Sequence, residues 1–140
     1  MNPFKFWKSK SREEPEHPIR AEILVVEDEL AEADFLCGLL RFQGALVTWA
    51  GNLAGALEIL NGPKRFQLAF VDIGLPNGSG TEAIRLIKER RRATHVIVVT
   101  ANLDKLPLVV GYGYISILMK PYTIASIREV LRSHRLPVAD

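Results

Sequence analysis

Residues 23–29 read ILVVEDE, an uninterrupted run of β-type apolar residues that stops at acidic side chains. The same kind of junction recurs in three further stretches: residues 70–76 (FVDIGLP), 96–101 (VIVVTA) and 117–121 (ILMKP). A short continuous apolar run is typical of a strand that is covered on both faces of a parallel sheet. The polar residues that end the runs are Glu27, Asp28, Asp72, Thr100 and Lys120. Because ligands bind at the carboxyl ends of strands in open α/β sheets, we expect these side chains to meet at one site.

Strand and helix patterns alternate along most of the chain. Predicted strands cover residues 23–26, 45–50, 67–71, 95–99 and 115–119, and predicted helices cover residues 30–42, 52–60, 79–91 and 123–134. The connection at 102–113 contains Pro107 and two glycines, so we expect a short or irregular fourth helix. This alternation predicts an α/β fold, with a doubly wound, five-stranded parallel sheet and right-handed crossovers.

Composition limits the class of protein. The 140 residues predict one folded domain, and a net charge of +2 gives no argument for a nucleic-acid partner. The chain has one cysteine, Cys37, which lies in an apolar helical pattern and is expected to be buried. No apolar run reaches the roughly 18 residues of a membrane span, and the basic N-terminus is not followed by the apolar stretch of a secretory signal. We therefore expect a cytoplasmic protein.

The chain divides into three parts. Residues 1–18 mix aromatic residues with lysines and show no sustained periodicity, so they are expected to form a flexible leader or an arm that contacts a partner. Residues 19–136 form the predicted domain, and residues 137–140 form a short tail. Because only six residues follow His134, we expect no attached output domain.

The four strand-end motifs, in this order, resemble the receiver domain of bacterial response regulators. The resemblance covers residues 19–134 and implies a flavodoxin-like fold that accepts a phosphoryl group from a histidine kinase on an aspartate. It assigns Asp72 as the phosphoacceptor, Thr100 as the hydroxyl that contacts the phosphoryl oxygens, and Lys120 as their cationic partner.

The resemblance also implies a magnesium site. Its ligands would be Glu27, Asp28, Asp72 and the backbone carbonyl of Gly74, with Asp28 in the position that usually ligates the ion directly. Magnesium is a hard ion that prefers oxygen ligands, and phosphoryl transfer depends mainly on positioning and charge stabilisation. Without an ion these carboxylates repel one another, so we expect the metal-free site to be under electrostatic strain.

Three features depart from the family pattern. The first is an acidic pair of glutamate and aspartate where two aspartates are usual, and glutamate can still ligate a metal there. Ile117 occupies the position where many receivers carry an aromatic residue that moves on phosphorylation. Tyr112 and Tyr114 are candidate substitutes, although packing or surface roles are the alternative for both. The stretch between Thr100 and Lys120 is also short for the family. In receivers the fourth helix, the fifth strand and the last helix usually form the signalling surface, so the resemblance does not establish the usual output mode.

These observations predict a stand-alone response regulator that signals by protein contact. The expected partner is a sensor histidine kinase or a phosphotransfer protein, and a homodimer through residues 106–119 or the leader is a candidate. The protein would be a phosphoacceptor and not an enzyme, apart from catalysing its own phosphorylation and dephosphorylation. One alternative is a degenerate receiver that acts only as an interaction module. Another is an aspartate-nucleophile phosphatase, but such enzymes usually carry a second aspartate where this chain has Gly74.

Overall fold

Five parallel strands form one sheet. The computed structural model describes residues 21–75, 79–91, 93–109, 111, 113 and 115–136. The strands are β1 (Glu22–Val26), β2 (Leu46–Ala50), β3 (Leu68–Asp72), β4 (His95–Thr100) and β5 (Ser116–Met119). They are arranged in the order β2-β1-β3-β4-β5 with every neighbouring pair parallel. This is the flavodoxin-like order, so the predicted fold class is confirmed.

Helices cover both faces of the sheet. They are α1 (Leu30–Phe42), α2 (Leu53–Asn61), α3 (Ser79–Arg90) and α4 (Ile124–Ser133). Within β1, Ile23 and Val25 pack in the same core cluster as residues of α1 and α4, whereas Leu24 and Val26 pack with residues of α2 and α3. β1 therefore needs apolar residues on both of its faces, which explains its unbroken apolar run in the sequence.

Local signals set the helix ends. Gly44 follows α1 with a φ of 96°, a left-handed conformation that side chains other than glycine rarely adopt. The Asn52 side chain accepts a hydrogen bond of 2.8 Å from the Gly55 amide and caps α2. Thr123 caps α4 in a reciprocal arrangement with Ser126. Cys37 is buried, as predicted, and burial raises the pKa of its thiol.

The fourth connection is irregular, as the sequence predicts. It contains a 3₁₀ helix, Leu103–Leu108, in which Pro107 interrupts the regular hydrogen-bond pattern. Within the described part of this connection there is no α-helix beside β5. Ile117 and Met119 on β5 are accordingly 44% and 41% exposed.

The start of α3 packs directly against the end of β3. A Cβ atom on Gly80 would lie 2.1 Å from the carbonyl oxygen of Asp72 and 2.9 Å from the Cα of Ile73. Only glycine allows this approach, so α3 begins immediately beside the strand end that carries Asp72.

Among the described residues, no helix is long and apolar enough to cross a membrane.

Candidate functional site

Four strands deliver polar side chains to one edge of the sheet. Asp72 is the last residue of β3 and Thr100 the last of β4, whereas Glu27 follows β1 and Lys120 follows β5. The strand ends are held in register by backbone hydrogen bonds, including one of 2.8 Å from the Lys120 amide to the Thr100 carbonyl. The structure therefore brings these four residues together at the edge that the sequence predicts.

Asp72 is buried and both of its carboxylate oxygens are engaged. Oδ1 accepts a hydrogen bond of 2.6 Å from the backbone amide of Gly74, and Oδ2 accepts one of 2.6 Å from Lys120 Nζ. Charge-assisted hydrogen bonds of this kind are short and directional. The carboxylate is thus held in a fixed orientation beside a cation.

Lys120 donates to three carboxylates. Besides Asp72, its Nζ contacts Glu27 Oε2 at 3.2 Å and also Glu32 Oε2. An ammonium group has three N–H donors, so these contacts use all of them. Burial alone would lower the pKa of Lys120, but its hydrogen bonds to Asp72 and Glu32 raise that pKa above its ordinary value. The lysine therefore stays charged and neutralises part of the acidic cluster.

Glu27 is the most deeply buried acid of the cluster. Its Oε1 accepts a hydrogen bond of 3.1 Å from the Glu29 amide, and its carbonyl oxygen accepts one of 2.8 Å from Trp49 Nε1. Burial, together with the neighbouring Asp72, raises the pKa of Glu27 to about 8. Burial contributes most to this shift, and the adjacent Asp72 carboxylate adds to it.

The converging carboxylates suit a divalent cation. Glu27, Glu32 and Asp72 each present one oxygen, and these oxygens lie within 4.8 Å of one another. An all-oxygen donor set with net negative charge fits a hard ion such as Mg²⁺. The structure therefore contains a candidate metal centre, although its carboxylates differ in part from the predicted set.

Asp28 and Glu32 account for that difference. Asp28 is exposed and does not belong to the converging group, whereas Glu32, which is not among the predicted ligands, does belong to it. Glu32 lies in the first turn of α1, and helical side chains are directed toward the N-terminus of their helix. The position of Glu32 in the first turn of the helix that follows β1 therefore indicates that its side chain can reach the strand edge. The assignments of Asp28 and of the Gly74 carbonyl as ligands stay predictions.

Thr100 is buried beside the cluster, but its hydroxyl is directed to the following loop. Thr100 Oγ1 donates to the Asn102 carbonyl at 2.9 Å and accepts from the Asn102 amide at 2.9 Å. The hydroxyl thus closes a local turn, a common use of threonine at a strand end. Its predicted contact with phosphoryl oxygens stays a prediction.

A pocket of about 250 Å³ opens beside Lys120. Ala31, Glu32 and Phe35 of α1 form one wall, and Pro121 and Tyr122 form the other. The rings of Phe35 and Tyr122 stack with centroids 5.9 Å apart. Burial raises the pKa of the Tyr122 hydroxyl to about 12, so the wall formed by Pro121 and Tyr122 carries no charge at neutral pH.

Ile117 lies on the outer edge of the sheet. It lines a groove between β5 and α4 together with Met119 and Val130. No aromatic side chain occupies this position, and Tyr112 and Tyr114, the candidate substitutes, fall outside the described residues.

The chain is similar to response regulators over most of its length. It is 36% identical over 116 residues to the sensory transduction protein RegX3 of Mycolicibacterium smegmatis, covering 79% of this chain and 50% of that protein. It is 30% identical over 113 residues to the response regulator protein PmrA of Pseudomonas aeruginosa, covering 79% of this chain and 51% of that protein. The chain thus spans about half the length of these curated relatives.

Solved structures show the same fold. A response regulator receiver domain protein from Methanospirillum hungatei superposes with a TM-score of 0.74 at 28% identity, covering 81% of this chain and 92% of that one. The receiver domain of a sensor histidine kinase from Pseudomonas aeruginosa, which was solved with a magnesium ion in its active-site cleft, gives 0.73 at 26% identity, covering 81% and 96%. The family model that is described as "response regulator receiver domain" matches residues 23–132. The chain therefore belongs to the response regulator receiver domain family of two-component signalling systems.

Proposed function

We propose that Asp72 accepts a phosphoryl group from a phosphorylated histidine of a sensor kinase or phosphotransfer protein. The observation that carries this proposal is the contact of 2.6 Å between Asp72 and Lys120, at the shared strand edge of a receiver domain. A buried carboxylate that is oriented by the Gly74 amide and faces a cation meets the requirements of a nucleophile in phosphoryl transfer.

The proposed transfer is a single displacement at phosphorus. A carboxylate oxygen of Asp72 forms a bond to phosphorus while the bond between phosphorus and the donor imidazole nitrogen breaks. The electron pair of the broken bond stays on the imidazole, which takes up a proton. Lys120 lies where it can balance the charge on the phosphoryl oxygens, and the buried position of Asp72 limits access of competing water.

A magnesium ion is the proposed cofactor. Glu27 and Asp72, with Glu32 or Asp28 and the Gly74 carbonyl, would hold it, and the ion would supply positive charge to the phosphoryl oxygens. The convergence of carboxylate oxygens from Glu27, Glu32 and Asp72 within 4.8 Å supports this proposal, because a cation there would offset their like charges.

Labelling with a small phosphodonor tests the phosphoacceptor. The protein is incubated with acetyl phosphate and Mg²⁺, and its intact mass is measured. We expect a labile gain of one phosphoryl group that Asp72→Asn abolishes. Asp104→Asn is the matched control, because Asp104 is an exposed acid on the 3₁₀ helix. Labelling of the Asp72→Asn protein, or no labelling by either acetyl phosphate or a histidine kinase, would contradict the proposal.

The same experiment separates the two alternatives. Turnover of added phosphomonoesters would indicate an aspartate-nucleophile phosphatase, but Gly74 offers Asp72 a backbone amide and no acid–base side chain. An unlabelled but correctly folded protein would indicate an interaction module.

Several expectations stay predictions: stand-alone organisation, a homodimer, the absence of a nucleic-acid partner, a cytoplasmic location, and a phosphoacceptor that is not an enzyme. The domain boundaries at 18 and 136 are likewise predictions, and residues 1–20 and 137–140 lie outside the described residues.

A further inference from the structure

The three partners of Lys120 differ in how firmly they are held. The side chains of Glu27 and Asp72 are 5% and 8% exposed, whereas the side chain of Glu32 is 44% exposed. Glu27 and Asp72 are also fixed by backbone amides, from Glu29 and Gly74 respectively. Among the described residues, the Glu32 side chain, by contrast, has Lys120 as its only hydrogen-bond partner. Glu32 is therefore the partner that can separate from Lys120 at the lowest cost.

A phosphoryl group on Asp72 would compete for the same ammonium group. Lys120 has no free N–H in the present arrangement, because its three donors meet three carboxylates. A phosphoryl group adds strong acceptor oxygens and negative charge next to this lysine. At least one existing contact must then be given up, and the one to Glu32 costs least to replace with water, because that carboxylate is half-exposed and no backbone amide of the described residues holds it.

We propose that Glu32 is a positioning residue that restrains Lys120 in the unphosphorylated protein and releases it when a phosphoryl group occupies Asp72. The inference rests on the proposed function and adds a regulatory contact to it. Release would free the Glu32 carboxylate from Lys120 in the first turn of α1, beside the pocket that Phe35 and Tyr122 line. The state of Asp72 would thus reach the surface through α1, a route that does not require an aromatic residue in place of Ile117.

Binding of beryllofluoride, a phosphoryl mimic, measures the restraint. The Trp7→Phe protein retains Trp49, whose ring nitrogen donates to the Glu27 carbonyl, as a fluorescent reporter beside the site. At saturating Mg²⁺ we expect Glu32→Gln to bind beryllofluoride about two- to fivefold more tightly, the range given by a half-exposed ion pair. Glu32→Asp, which keeps the charge, should bind nearly as the parent does.

Two controls isolate the contact. Asp34→Asn removes an exposed acid from the same helix, and within the described residues Asp34 forms no ion pair with Lys120. It should leave the affinity unchanged. In a Lys120→Met background, Glu32→Gln should lose its effect, because the effect acts through the lysine. An equal gain in beryllofluoride affinity in the Lys120→Met background would show that Glu32 acts by simple charge repulsion, and would overturn the inference.

Amide exchange supplies a readout that needs no variant. Addition of Mg²⁺ and beryllofluoride to the wild-type protein should lower protection in the first turn of α1, and unchanged protection there would overturn the proposed release. A loss of Mg²⁺ affinity of tenfold or more in Glu32→Gln would instead make Glu32 a metal ligand. If the wild-type protein bound no beryllofluoride at all, the proposed function itself would fail. If it bound beryllofluoride and Glu32→Gln had no effect, only the restraint would fail.

Discussion

Replacement of Gly80 by alanine tests how closely α3 approaches the strand that carries Asp72. The added Cβ would lie 2.1 Å from the Asp72 carbonyl oxygen, roughly 1 Å inside the closest approach that Cβ atoms show, and 2.9 Å from the Ile73 Cα. Both contacts are with backbone atoms, which cannot rotate away as a side-chain end could. Either the start of α3 or the end of β3 must therefore move.

The magnitude follows from two opposing terms. Overpacking of this kind costs about 1–3 kcal/mol, and alanine recovers at most about 1 kcal/mol of helix propensity relative to glycine. A net loss of ~1 kcal/mol, with a denaturant slope of ~2 kcal/mol/M, moves the urea midpoint down by ~0.5 M. We also expect slower labelling by acetyl phosphate, because the displaced backbone belongs to Asp72.

The assay is urea unfolding followed by circular dichroism, with Gly38→Ala as the matched control. Gly38 lies inside α1 and a Cβ there would meet nothing within 4 Å, so that substitution should stabilise the protein by up to about 1 kcal/mol. A Gly80→Ala midpoint at or above that of the wild-type protein, with an unchanged slope, would refute the close-packing argument.

Three further predictions concern the site. Folded Glu27 keeps its proton to about pH 8, whereas in the unfolded chain Glu27 loses it near pH 4.5. The free energy of unfolding in metal-free buffer should therefore fall as pH rises through that window. Glu27→Gln should flatten this pH dependence in thermal melts. Lys120→Met leaves Asp72 and Glu27 without their cation, so calorimetry at pH 8 should show a free energy of unfolding lower by about 1–3 kcal/mol, partly restored by Mg²⁺. A variant as stable as the wild-type protein would show that these ion pairs make no net contribution to stability. Thr100→Val removes both hydroxyl hydrogen bonds to Asn102 and should cost about 1–2 kcal/mol in urea unfolding, whereas a neutral result would mean that the loop supplies other partners.

The fold and the strand-end positions could be predicted because they depend on simple patterns. A continuous apolar run identifies a buried parallel strand, and the residue that ends it must lie at the ligand edge, which located Glu27, Asp72, Thr100 and Lys120. The irregular fourth connection was equally readable, because Pro107 cannot sit inside a regular helix.

The orientation of individual side chains could not be predicted in the same way. Asp28 and Glu32 both lie near the start of α1, and which of them faces the cluster depends on where the helix begins and how it is rotated about its axis. The hydroxyl of Thr100 has two competing uses, a local turn or a ligand contact, and only the structure shows that the turn is made here. Such choices are decided by tertiary packing and not by local sequence.

The ion-pair cluster also has a consequence for folding kinetics. Lys120 is separated from Asp72 by 48 positions, from Glu32 by 88 and from Glu27 by 93, so these contacts can form only after the strands that carry them have assembled. Contacts of such long range carry a large loop-closure cost and are expected to be weakly formed in the folding transition state. Loss of Lys120 should therefore accelerate unfolding more than it slows folding, and the ion-pair cluster would act as a barrier that keeps the finished domain from opening.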